Sequence, residues 1–240
     1  MTRPHSPFRR RIAGAAASAI VALALAACQG ASEPSGPSSS TAPSTDRTYS
    51  NDELTAALPE PTELSDLLST EPTHESPPAG RTEPAPCADL FFAGADERAF
   101  IDAHTVGLAR RDYSGSRGGM MGLTVRSFDQ PVPAEWFDRA GTAVAECTSF
   151  TKIDPNRTST WETKLLGTDP LGDRSFSVRL VGGADVDPGG EASEVDLVRA
   201  GKGHTLILVN YAVGPASERI PDLAERAVIQ VLNGLQRADS

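Results

Sequence analysis

The side chains that could do chemistry are few and scattered. His74, His104 and His204 lie far apart, and none belongs to an H-x-x-x-H or H-E-x-x-H set. The Ser/Gly cluster "YSGSRGG", residues 113–119, has no glycine two places before either serine, so it is not a nucleophile elbow and reads as a hairpin turn. The acidic run "DVDPGGEASEVD" puts Asp185, Asp187, Gly190, Ser193 and Asp196 at positions 1, 3, 6, 9 and 12 of a calcium loop. Position 5 is Gly189 and position 12 an Asp where a bidentate Glu is usual, so the run reads as a solvated connection between strands. No phosphate loop, zinc knuckle or basic stripe is present. The residues therefore assign no catalytic group, no metal ligand and no cofactor. Trp161, on a weakly alternating strand, is the candidate wall of any groove. A hydrolytic site would need an acid such as Asp173 to reach His204 inside a cleft.

The three cysteines, Cys28, Cys87 and Cys147, say more. Upstream of Cys28 the run Ile12–Ala27 is uncharged, and Arg3, Arg9, Arg10 and Arg11 precede it without an acid. A basic region followed by an apolar one is the pattern of an export signal, and sixteen residues fall short of the roughly 20 that span a bilayer as a helix. Leu25-Ala26-Ala27-Cys28 resembles a bacterial lipobox, which implies cleavage before Cys28 and a diacylglyceryl, palmitate-bearing thiol. Two cysteines then remain in an oxidising compartment, with a Cys87–Cys147 disulfide as the expected pairing and two buried free thiols as the alternative.

Loss of four arginines on cleavage leaves 18 basic residues against 32 acidic ones, a net charge of −14. Such a surface repels nucleic acid and anionic lipid, so attachment to a membrane falls to the acyl chains. Residues 28–50, rich in Ser, Pro, Thr and Gly, cannot bury enough apolar surface to offset ordering entropy and read as a disordered tether.

The elements that must position any site lie in residues 51–238. "NDELTAAL" and "TELSDLLS" read as two short helices, and 69–86, with five prolines, as an exposed loop. "GLARRDYSG" and "MMGLTVRSFD" form a strand pair. Pro133 opens a helix whose stripe Trp136, Ala140, Val144 and Cys147 faces inward. Four strands follow, "STWETKLLG", "RSFSVRLV", "EVDLVRA" and "HTLILVNYAV", the last two joined by a turn at Gly201-Lys202-Gly203. The last strand is apolar on both faces and so central, while His204 at its start reads as a rim residue. A final amphipathic helix carries Ile220, Leu223, Ala224, Ala227, Val228, Val231 and Leu235 on one face and stops at Gly234. The order predicts one α+β domain, an antiparallel β-sheet flanked by helices.

The layout as a whole resembles actinobacterial secreted lipoproteins related to the extracellular sensor domain of certain Ser/Thr protein kinases, the PknH-like extracellular domain. The phrase "PLGDRSFSV", Pro170–Val178, and Cys147 after its helix carry most of the resemblance. It implies an antiparallel sheet with a cleft for an unidentified extracellular ligand, and no established catalytic residues. The resulting expectation has three parts: signal peptide 1–27, tether 28–50 and sensor-like domain 51–238. This would be a monomer on the outer face of the cell membrane, anchored through Cys28, that binds an unknown small molecule or protein without catalysis. An envelope hydrolase with a non-motif site and a structural or assembly lipoprotein are the alternatives.

Overall fold

Alternation of apolar and polar residues along most strands leaves each with two unlike faces, and the fold answers by covering the sheet from both sides. The computed structural model describes residues 47–73, 80–116, 119–155, 157–167, 169–182 and 193–240. In chain order these form α1 (Asn51–Ala57), α2 (Pro61–Leu64), β1 (Leu68–Glu71), β2 (Arg81–Glu83), a 3-10 helix (Ala85–Phe91), α3 (Ala95–His104), β3 (Thr105–Gly115) and β4 (Met120–Phe128). Then follow α4 (Ala134–Glu146), β5 (Ser149–Asp154), β6 (Arg157–Leu165), β7 (Arg174–Gly182), β8 (Glu194–Lys202), β9 (Thr205–Val213) and α5 (Leu223–Ala238). The described strands make one sheet in the order β1-β3-β4-β9-β8-β7-β6-β5-β2, with every neighbouring pair antiparallel. The expected α+β domain is therefore present.

The two helical layers are offset. Buried side chains of α1, α2 and α5 pack with Leu123, Val125, Val198, Ile207 and Val209 on one face of the β1-to-β8 half. On the opposite face, α4 and the 3-10 helix pack with Val178, Leu180 and Leu197, and Trp136, Phe137 and Phe92 close the core around Phe128 and Leu206. Chain length adds a constraint. Glu71 and Arg81 lie on the two edge strands, yet the ten-residue step between them reaches at most about 35 Å. Eight strand spacings of about 4.8 Å would put those edges about 38 Å apart in a flat sheet, so the sheet must coil.

Five differences from the sequence reading have clear causes. First, the proline-rich stretch 69–86, expected as loop, contributes β1, β2 and part of the 3-10 helix. Both strands sit at sheet edges, where proline-flanked segments are tolerated. Second, β5, which pairs Phe150 with Trp161, was not foreseen because its polar–apolar alternation is too short to register. Third, Gly234 does not end α5, which runs on to Ala238. It is the contact point with α1, because a Cβ there would lie 2.8 Å from the Ala57 Cα and carbonyl oxygen. Fourth, the β8–β9 turn is Gly203-His204, with Lys202 paired to Thr205 and Gly203 at φ 52°. Fifth, the folded body takes in residues 47–50. Tyr49 is buried, its amide donates to Ser127 Oγ (2.9 Å) and its hydroxyl to Asp239 Oδ2 (3.0 Å), and Arg47 pairs with Glu53 at 2.5 Å.

Candidate ligand cleft

Among the described residues the offset layers leave the β5–β7 half of one face without helices, and a cleft lies where that half meets the start of α5. Its lining includes Leu166, Gly167, Arg179, Asp196, Arg219 and Glu225, and its volume is about 430 Å³. That lies within the range of roughly 300–1,000 Å³ typical of small-molecule sites.

Pairing of β7 with β8 sets Arg179 directly opposite Asp196. Arg179 Nε donates to Asp196 Oδ1 at 2.7 Å and Nη2 to Oδ2 at 3.2 Å, a fork that fixes both planes. From the β9–α5 connection Arg219 reaches the same carboxylate, and its Nη2 donates to Glu194 Oε2 at 2.6 Å. Its guanidinium stands 5.6 Å from the Tyr211 ring centroid, and the Tyr211 hydroxyl accepts the Ile220 amide at 2.9 Å. These contacts pin the connection to the sheet. The hydrogen bond from Arg179 to Asp196 holds that arginine above its usual pKa. Glu225 stands in the first turn of α5 beside these groups, at a helix end that favours negative charge. The cleft thus presents donors and acceptors in fixed positions and suits a polar, hydroxyl-rich or zwitterionic molecule. None of the described residues that line it is His, Ser or Cys.

A second hollow of about 260 Å³ lies between the 3-10 helix and α4 and is lined by Asp89, Glu135, Asp138 and Glu146 around Arg139. Arg139 bridges Asp89 and the buried Glu97. Burial and the charge of Glu97 push the Asp89 carboxyl above its ordinary value.

The structure brings Cys87 and Cys147 together in a disulfide (S–S 2.07 Å, Cα–Cα 5.8 Å), both buried under the 3-10 helix and α4. Cys28, His74, Asp185, Asp187 and Gly190 lie outside the described residues. Asp196, the last position of the calcium pattern, is committed to two arginines, so its carboxylate is already neutralised. Trp161 is not a groove wall: its ring packs with the disulfide cluster on the other face, and Nε1 donates to Ser159 Oγ at 2.8 Å. His204 is buried in the turn, not on a rim, with Nδ1 3.0 Å from the Phe128 carbonyl. Asp173 accepts the Gly203 amide at 2.7 Å. Its carboxylate is used to tie the turn, and the histidine points to a backbone group. His104 Nδ1 meets Asp129 Oδ1 at 2.8 Å on the surface. The reading of residues alone missed Arg219, Glu194 and Glu225 and gave Arg179 no role. Only the polar alternation of "RSFSVRLV" flagged Arg179, and its partner depends on register.

Comparison with solved structures finds the extracellular domain of PknH from Mycobacterium tuberculosis at a TM-score of 0.59 and 12% identity, over 80% of this chain and 99% of that one. The fold of this chain is similar to that of the PknH extracellular domain. An uncharacterised protein from Mycobacterium smegmatis, an Rv0999 ortholog, aligns at a TM-score of 0.34 and 12% identity over 72% of this chain and 86% of that one, too low a score to argue from. Neither protein-family models nor curated proteins match the chain.

Proposed function

We propose that this protein is a lipid-anchored, extracytoplasmic binding module of sensor type that captures a small polar ligand in the α5 cleft and catalyses no reaction. The observation that carries the reading is the cleft itself: about 430 Å³, floored by the Arg179–Asp196–Arg219 network, on a fold similar to that of a kinase extracellular domain. A disulfide fits an exported chain. In this reading residues 1–27 direct export, acylated Cys28 holds the protein at the outer face of the cell membrane, and residues up to about 46 tether the body. A flexible chain of that length gives a reach of about 25 Å.

Two measurements test it. Mass spectrometry of the mature protein is expected to find a diacylglyceryl adduct on Cys28 and no residues before it, and Cys28→Ser is expected to move the protein out of the membrane fraction. A retained N-terminus without acyl mass would remove the anchor. Native mass spectrometry of protein purified from its own host is expected to show a co-purifying mass that disappears in Arg179→Met/Arg219→Met. Retention of that mass in the double variant would remove the cleft.

A further inference from the structure

On the opposite face from the α5 cleft, the part of the sheet formed by β3, β4 and β9 carries no packed helix over most of its length among the described residues. Leu108, Met120 and Asn210, one on each strand, stand exposed there. Register places Arg199, Leu208, Thr124 and Arg110 in one row across β8, β9, β4 and β3. Arg126 lies one pleat away along β4, and Asn210 one pleat the other way along β9.

Arg199 is buried, with 3% of its surface exposed. Its Nη1 donates to the Val209 carbonyl at 2.7 Å and its Nη2 to Asn210 Oδ1 at 2.8 Å, while Nε has no partner among the described residues. An arginine only donates, so the asparagine must turn its oxygen inward. Its NH₂ group then faces outward on the open strand. Among the described residues the buried arginine meets no carboxylate, and its Nη2 orients this amide.

Arg126 is the unusual group. Only partly exposed, it makes no hydrogen bond among the described residues, and its Nε is buried without a partner. Burial lowers its pKa, and the charge of Asp102 on α3 acts against this. A half-buried guanidinium whose Nε has no hydrogen-bond partner among the described residues is incompletely compensated, and an anion on its exposed side adds charge-assisted hydrogen bonds. Beside it, Arg110 Nε donates to Asp112 Oδ1 at 3.1 Å. The pair lies over Gly122, where a Cβ would come within 3.2 Å of Asp112 Oδ1. Glycine keeps this part of the floor low. Leu108, Leu208 and Met120 give the patch apolar edges. From register and strand spacing, the Arg126 and Asn210 Cα atoms are about 14 Å apart, which suits an elongated ligand.

We infer that this open face binds an elongated small-molecule acid. Its carboxylate or phosphate sits on Arg126 and its hydrocarbon body runs past Thr124 and Leu208 to the outward amide of Asn210. The site is separate from the α5 cleft and does not depend on the anchor.

The test uses the chain from residue 29, which lacks the acylated Cys28, with decanoate and decyl phosphate below their micellar concentrations, and decanol as the neutral control. Calorimetry is expected to show both acids binding one per chain, at least tenfold more tightly than decanol. Arg126→Met is expected to weaken both acids at least tenfold, while Arg98→Met on α3 leaves them unchanged. Backbone amide shifts are expected to move in β3, β4 and β9, and this map on unaltered protein decides the matter if Arg126→Met does not fold. The proposal is overturned by equal affinity for decanol or unchanged binding in Arg126→Met. Shifts confined to the α5 cleft would also overturn it, as would binding only to phosphatidylglycerol vesicles and not to the free acids.

Discussion

Two glycines in helices test the packing, because the same change at each has opposite expected signs. Gly141 lies on the exposed side of α4, and a Cβ built there meets nothing within 4 Å. Gly141→Ala should therefore show only the helix-propensity gain, about 0.5–1 kcal/mol. Gly234 lies in α5 against α1, and its Cβ would stand 2.8 Å from the Ala57 Cα and carbonyl oxygen and 3.0 Å from the Ala57 Cβ. Backbone atoms cannot rotate away, so α1 must shift. The propensity gain is the same, but overpacking of this kind costs about 1–3 kcal/mol. Gly234→Ala should thus come out neutral to about 2 kcal/mol less stable than the parent. The difference between the two variants isolates the clash. Urea unfolding of the non-reduced chain measures it, as a shift in midpoint at constant slope. If Gly234→Ala proves as stable as Gly141→Ala, the close approach of α1 and α5 is wrong, and with it the path from Tyr49 to Leu58 over the sheet.

Reduction removes the Cys87–Cys147 link across 60 residues, and the chain-entropy model puts its loss at about 4 kcal/mol, to be read as a fall in the urea midpoint on adding dithiothreitol. Tyr113 is fully buried, its hydroxyl donates to the Pro59 carbonyl at 2.7 Å, and burial pushes its pKa up to about 12. The folded state then keeps a proton that the unfolded state loses above pH 10, so its stability contribution is whole below pH 10 and is lost as pH rises through 12. Tyr113→Phe should flatten that decline and cost about 1 kcal/mol at pH 7; alkaline titration followed at 295 nm together with urea unfolding at each pH checks both. Asp196→Ala leaves Arg179 and Arg219 facing each other without their shared carboxylate, with an expected cost of about 1–3 kcal/mol and faster hydrogen exchange at the Ile220 amide.

Local pattern determined much of the architecture. The spacing of Trp136, Ala140 and Cys147 placed α4 and aimed the disulfide inward, and both were found. The period of Leu223 through Leu235 gave the buried face of α5, and two-sided apolarity placed β9 inside the sheet. These features are periodic, and periodicity is written along the chain. Three-dimensional proximity is not. The Arg179–Asp196 pair follows from the register of β7 on β8, and Arg219 joins it from a connection 23 residues beyond Asp196. The role of Gly234 depended on Ala57, which is far away in sequence and adjacent only after folding. Arg126 and Arg199 come to one face of the sheet only through the pairing of β4 with β9 and of β9 with β8. Which surface is covered is a property of the packed layers, so the sequence by itself determined the strongly periodic elements and an expected disulfide pairing, and only the tertiary structure decided the short strands β1, β2 and β5 and where a ligand has room to bind.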